Sequence, residues 1–355
     1  MKAKRPTKAQ RLSSTTISTL PQTIIENILC FLPIREAART SILSREWRYK
    51  WTTIPKLEFG LPTVSEITTE EKLPYDIASA RKNMDERCKL FNAIHQVLLM
   101  RQGPIHEFTF DPYISCNCFE LDQIILHLSR NHTVKKLRLA LDSEYSYKLP
   151  LCAFSMHQLT DLDLSHVDID HQPIFSGFGS LRSLCLYSVK ISKKALLHLL
   201  SNCPSLKRFS LLGFIACSRL GSRRAFNLHL KYFCFEEMSL DDDHHLTFLA
   251  VLIKCSPNLE KIVLVAELEY YDVNEVYSGI LEKYSDVWLE HIKELVVDYF
   301  NNSKPSMEFV KFILARSPKL KKVLIGSVVE KDEEAEMLKF LLQAPRASTV
   351  EIVVK

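Results

Sequence analysis

Residues 159–164, 181–186 and 206–211 read LTDLDL, LRSLCL and LKRFSL. The first two fit the template L-x-x-L-x-L, the third has Phe209 for the middle leucine, and the same spacing recurs at Val134-Leu137-Leu139 and Leu230-Phe233-Phe235. The five copies start at residues 134, 159, 181, 206 and 230, so successive steps are 25, 22, 25 and 24. A fixed step of ~20–29 residues is the mark of a stacked array in which each unit contributes one strand. Within a copy the apolar positions alternate, which sends them to one side of a strand and leaves the intervening residues on the other.

Outward from this centre, weaker copies stand at Ile105-Phe108-Phe110, Leu259-Ile262-Leu264, Ile292-Leu295-Val297 and Leu320-Val323-Ile325, with longer gaps that leave room for full helices. Three of the gaps end alike: apolar runs from Leu196, Leu246 and Phe309 finish in Cys203-Pro204-Ser205-Leu206, Ser256-Pro257-Asn258-Leu259 and Ser317-Pro318-Lys319-Leu320. Proline stops the helix because it lacks an N–H and clashes with the preceding turn, and the leucine then enters the next strand. The expected fold is α/β: a short helical front end followed by an irregular solenoid with parallel strands on the concave face and helices on the convex face.

Composition narrows the function classes. With 46% hydrophobic residues over 355 positions there is material for a large core, and a net charge of only +4 offers no domain-wide attraction for a phosphate backbone. The 8 glycines are about 2% of the chain against a usual ~7%, which leaves no Walker loop or GxGxxG turn to cradle a nucleotide. No apolar run approaches the ~18 residues of a membrane span, and the first residues lack a secretory apolar stretch. The ten cysteines, spread over a long chain in apolar contexts, are read as reduced thiols. These points together predict an intracellular protein, in the nucleus and/or cytoplasm, with no nucleic acid, no membrane and no cofactor.

At the N-terminus, residues 1–16 carry Lys2, Lys4, Arg5, Lys8 and Arg11 and no acid, so a solvated tail is expected. Structure is expected to begin at Ile17-Ser18-Thr19-Leu20-Pro21, with Pro21 in a first helical turn. Ile24, Ile25, Ile28, Leu29 and Leu32 form an apolar stripe ending at Pro33. Short helices are expected over Ile34 to Ser41 and over Ser44 to Trp51, the latter with Trp47 and Trp51 on one face. Three such helices make a poor independent core, so a partner is expected to complete them. A polar stretch from Gly60 to Met84 reads mostly as loop.

Leu20-Pro21, Ile24-Ile25, Ile28-Leu29, Leu32-Pro33, Ala37-Ala38, Ser41, Leu43-Ser44-Arg45, Trp47 and Trp51 together resemble an F-box. The repeats that follow resemble those of plant F-box/leucine-rich repeat proteins, although Val167 and Val189 stand where an asparagine often follows the strand. From Tyr284 onward, "WLEHIKELVVDYF", "EFVKFILARSPKLKKVLI" and "EEAEMLKFLLQAP" look like an FBD region. The resemblance divides the chain into a tail (1–16), an F-box (17–57), a linker and helical entry segment (58–100), leucine-rich repeats (101–283) and an FBD-like region continuing the array (284–355). It implies a substrate-recognition subunit of an SCF-type ubiquitin ligase, not itself an enzyme. Leu20, Pro21, Ile24, Ile28, Leu32, Pro33 and Leu43 would face the Skp adaptor of a cullin-RING ligase, and Trp47 and Trp51 would hold the helices together.

The target, an unknown protein, would bind the strand residues that alternate with the buried ones: Glu107, Asp111, Lys136, Arg138, Asp161, Asp163, Tyr187, Arg208 and Tyr232, with Thr109, Ser165, Ser183, Cys185, Ser210, Cys234 and Glu236 between and beside them. Charge signs alternate along this track, which suits a protein of mixed charge better than a polyanion. Farther on Val263, Val265, Val296 and Leu324 make it apolar, so either the C-terminal region covers it or it is a binding patch.

Other chemistry finds little footing. Cys116, Cys118, His127 and His132 have no standard zinc spacing, and no metal site is expected. Asp241-Asp242-Asp243-His244-His245 suits the positive N-terminal end of a following helix. No GxSxG, HExxH or catalytic-cysteine signature is present. The competing functions are a repeat scaffold without ligase attachment and a small-molecule receptor of the same architecture.

Overall fold

The computed structural model describes residues 17, 20–60, 77–112, 119–131, 133–141, 147–169, 178–213, 227–266, 279–327 and 331–355. The basic segment 1–16, and Cys116, Cys118 and His132, lie outside these. Two compact units divide the chain, one of residues 1–59 with 71–108 and one of 60–70 with 109–355.

In the first unit α1 (Gln22–Leu29) follows Pro21 and α2 (Ile34–Arg39) follows Pro33. Pro21 stands at the N-cap, one residue ahead of the expected first turn, and its carbonyl accepts from the N–H groups of Ile24 and Ile25. The helix expected over Ser44 to Trp51 does not form. Its place is taken by turns that run into a 3-10 turn at Lys50–Thr53, with the Trp47 N–H bonded to the Ser44 carbonyl at 3.1 Å. Tertiary packing of the two indoles overrides the local helical propensity here. Trp47 and Trp51 are both buried, in one cluster with Ile25, Leu29, Ala37 and Ile54.

After β1 (Lys56–Gly60) comes α3 (Ile77–Met100), so the expected loop to Met84 is helical from Ile77 onward. The reason is a stripe the loop reading overlooked: Phe91, Ile94 and Leu98, spaced three and four apart, are buried on one face of α3. Val97 of α3 packs against the tryptophan cluster, and Phe59 and Phe108 meet with ring centroids 5.7 Å apart.

β2 (Glu107–Asp111) carries the chain from the first unit into the second. There follow α4 (Phe119–Asn131), β3 (Lys136–Ala140), β4 (Tyr147–Lys148), β5 (Asp161–Ser165), β6 (Val167–Asp168), β7 (Ser183–Tyr187), α5 (Lys193–Ser201), β8 (Arg208–Leu212), β9 (Tyr232–Glu236), α6 (Asp243–Cys255), β10 (Lys261–Val265), β11 (Glu294–Phe300), α7 (Lys304–Arg316), β12 (Lys322–Ser327), α8 (Lys331–Gln343) and β13 (Glu351–Val354). In the second unit β3, β5, β7, β8, β9, β10, β11, β12 and β13 lie side by side in that order, every neighbouring pair parallel. The α/β reading with parallel repeat strands holds, and the chain after residue 284 extends the same sheet. β4 and β6 make a separate parallel pair.

The proline-leucine signature has a definite geometry. The N–H groups of Leu206, Leu259 and Leu320 bond to the carbonyls of Cys203, Ser256 and Ser317 at 3.0 to 3.2 Å, so each Cys/Ser-Pro-x-Leu is a turn with proline second. Proline is pre-set for that position by its fixed φ. At the other end of the strands, where an asparagine was noted as missing, the residue after β5, β7, β8 and β9 turns left-handed: His166, Ser188, Gly213 and Glu237 have φ of 56°, 47°, 63° and 56°. Main-chain bonds carry this corner from layer to layer, as from Ser188 N–H to the Leu212 carbonyl at 2.7 Å. Val167 and Val189 are thereby turned into the core.

Between sheet and helices, leucines fill the core of the earlier layers and aromatics that of the middle ones. Phe209 and Phe233 stack at 6.1 Å, and Phe235 meets Phe233 edge-on at 4.3 Å and Phe248 of α6 at 5.8 Å.

Candidate adaptor and target interfaces

α1 has apolar residues on two faces. Ile25 and Leu29 enter the tryptophan cluster, whereas Ile24 and Ile28 point to solvent, each over 40% exposed. Pro21, Leu32, Pro33 and Leu43 are exposed too, and Leu20 is half-buried against the cluster. Phe31 and Ile42 are more open than any of these, at 89% and 85%, and were not singled out from the sequence. Their signal was adjacency: each directly precedes a residue of the expected adaptor set. Exposed apolar side chains this dense are uncommon on a free surface and mark interaction sites.

The helices are not left wholly to a partner, because α3 closes one side. Arg101 donates to the carbonyls of Ile54, Gly103 and Pro104. Burial pulls its pKa down to about 10.

In the second unit the strand register sets the residues that alternate with the buried ones in rows. One row runs Lys136, Asp161, Ser183, Arg208, Tyr232, Lys261, Glu294, Lys322, Glu351. The next runs Arg138, Asp163, Cys185, Ser210, Cys234, Val263, Val296, Leu324, Val353. Asp111, Lys136, Arg138, Asp161, Asp163, Tyr187, Arg208 and Tyr232 all belong to this unit, while Glu107 falls in the first. Arg138 sits 3.6 Å from both Asp111 and Asp163, joining what the sequence separates by 27 and 25 residues. Cys234, expected on the open side, is buried instead.

Burial raises the Asp163 pKa above the ordinary carboxylate value, with Arg138 opposing it. It pushes Cys185 up to about 12, Tyr232 to about 12 and Cys234 to about 11. These last three therefore stay protonated at neutral pH, and the thiols are poor nucleophiles. Asp242 caps α6 by accepting from the N–H groups of His244 and His245, and Asp241 accepts from Asn301 and Ser303. His127 of α4 lies against Asn131. Among the described residues no group of three His, Cys, Asp or Glu is placed to hold a metal, and no helix is long and apolar enough to cross a membrane.

The sequence reading also missed a rim. The second residue of each template copy from Val134 onward forms a hydrogen-bonded line across the strand ends: Lys135, Thr160, Arg182, Lys207, Lys231, Glu260, Lys293, Lys321. Six are basic and exposed. Glu260 bridges Lys231 and Lys293 at 2.6 Å each, and these contacts hold its pKa down at about 2. A column count at the second template position would have found it.

The family model of the F-box domain matches residues 17–59, and that of the leucine-rich repeats of FBD-associated F-box protein At5g56370 matches 123–252. The chain carries an F-box and FBD-associated leucine-rich repeats. The F-box match covers α1, α2 and both tryptophans, so the half-open apolar surface described above is the surface of the F-box. F-box/FBD/LRR-repeat protein At1g13570 of Arabidopsis thaliana is 27% identical over 94% of this chain and 96% of its own length. F-box/LRR-repeat protein 25 of the same plant is 29% identical over 57% of this chain and 69% of its own. Among solved structures, the leucine-rich repeat-containing protein LegL7 from Legionella pneumophila has TM-score 0.34 at 15% identity, over 71% of this chain and 76% of that one.

Proposed function

We propose that this chain is the substrate-recognition subunit of an SCF-type ubiquitin ligase: its F-box docks on a Skp adaptor, its repeats hold a protein target, and other subunits transfer ubiquitin. The observation that carries this is the double face of α1, with Ile25 and Leu29 closing the F-box core while Ile24 and Ile28 stay in water, as do Phe31, Leu32, Ile42 and Leu43. An adaptor covering that strip would remove the exposed apolar area that the free module keeps. Leu20, Pro21 and Pro33 border the strip and belong to the same interface.

The open side of the sheet, with the Asp111–Arg138–Asp163 chain and the basic rim, is the target face. Its chemistry suits a protein of mixed charge with an acidic stretch over Lys135, Arg182 and Lys207. The chain itself positions the target and is not an enzyme. It works in the nucleus and/or cytoplasm, where the ligase acts.

Co-purification with a Skp adaptor tests the reading, using wild type and Ile24→Ala/Ile28→Ala. The variant is expected to keep its circular dichroism and melting temperature while losing ~1–4 kcal/mol of adaptor binding, as anchor residues do. A wild-type chain that is folded and never binds any Skp adaptor would overturn it.

A further inference from the structure

β13 is the last strand of the sheet and, among the described residues, pairs only with β12. Its bonds to that neighbour come from alternate residues: the Glu351 N–H reaches the Lys321 carbonyl at 3.0 Å, the Lys355 N–H reaches Ile325 at 2.9 Å, and the Lys355 carbonyl accepts from Ser327 at 3.1 Å. The main-chain groups of Ile352 and Val354, between them, point away to the open edge. The layer is unfinished on its core side as well. Val323 and Ile325 of β12 are wholly buried, whereas their partners Ile352 and Val354 are only half-buried.

No proline and no bulge blunts this edge, and its sequence, EIVVK, is complementary to itself when reversed. Laid antiparallel about Val353, each Glu351 faces a Lys355, each Ile352 faces a Val354, and Val353 faces Val353. Ile352 and Val354 then form the hydrogen-bonded pairs, exchanging four main-chain bonds with the very groups that point outward. Glu351 and Lys355 fall at non-hydrogen-bonded pairs, where Cα atoms approach to about 4.5 Å and opposite charges help most. Neighbouring symmetric registers set Lys355 against Val353 or Thr349 and lose both ion pairs. Glu351 and Lys355 are exposed, and neither has an ion-pair partner among the described residues.

We infer that β13 is the seat of a two-fold interface with a second copy of this chain, the two strands running antiparallel with Val353 on the axis. Such an interface is self-complementary, as a closed dimer requires. It joins two sheets into one and is independent of the adaptor reading.

Sedimentation velocity on the purified full chain, over a wide concentration range, provides the test with Glu351→Lys, Lys355→Glu and the double variant. Wild type and the double variant are expected to dimerise reversibly. Each single variant places like charges opposite each other twice, and its dimer dissociation constant is expected to rise about tenfold or more. Mixing the two single variants is expected to restore dimers, since a chain with two basic ends to its strand then meets a chain with two acidic ends and both charge pairs return. A wild type that stays monomeric throughout overturns the inference. So does a dimer indifferent to the single swaps, and so does a mixture that fails to recover.

Discussion

Arg101, the residue directly after α3, donates from its guanidinium to the main-chain carbonyl of Ile54, at the end of the F-box core. The carbonyl belongs to the segment that follows Trp51, so this bond ties the long helix to the tryptophan cluster. Arg101→Ala removes a charged donor from the carbonyl of the buried Ile54. It is expected to cost about 2–3 kcal/mol, read as a lower urea midpoint, whereas Arg101→Lys recovers part of the loss.

Ile24 and Ile25 are neighbours in sequence and opposites in burial. Ile25→Ala opens a cavity and is expected to destabilise by about 2–4 kcal/mol. Ile24→Ala, at a solvent-facing site, is expected to change stability by less than about 1 kcal/mol. Chemical denaturation of the two variants side by side measures the difference.

Gly213 occupies the left-handed corner after β8, and a Cβ there would stand 2.6 Å from Ser188 Oγ. Gly213→Ala therefore meets both an unfavourable φ and a crowded neighbour. The expected loss is about 1–3 kcal/mol, seen as a lower melting temperature.

Lys231 and Lys293 hold the Glu260 carboxyl at about 2, below its ordinary value near 4.5. A depressed folded-state pKa gives stability that is present above the unfolded value and lost as pH falls through the folded one. Wild type should therefore lose a small increment relative to Glu260→Gln between about pH 4.5 and 2. Solvent screening keeps that increment small. Melting temperatures of both proteins across that range, at low and high salt, check sign and size.

Much of this was legible because it is local. The alternation in LTDLDL and LRSLCL specifies strands with one buried side, and a step of 22 to 25 residues specifies their stacking. The proline of Cys203-Pro204-Ser205-Leu206 ends a helix whatever surrounds it. The apolar composition of residues 20–32 was equally plain. That pattern alone does not say which of Ile24 and Ile25 is buried, because a helix with apolar residues on two sides has no preferred inward face until something packs on it; the resemblance to an F-box put Ile24 outward, and the tryptophan cluster takes Ile25.

The sequence by itself determined the repeat unit, its parallel strands and the turns between layers, since those follow from periodicity and backbone chemistry within a few residues. Only the tertiary structure decided what depends on register between distant segments. It aligned Lys135, Arg182 and Lys207 into one rim, set Arg138 between two aspartates, replaced the third helix by turns around Trp47 and Trp51, and left the groups of Ile352 and Val354 facing outward at an edge. Such placements are fixed by packing and pairing across tens of residues, which no local pattern encodes.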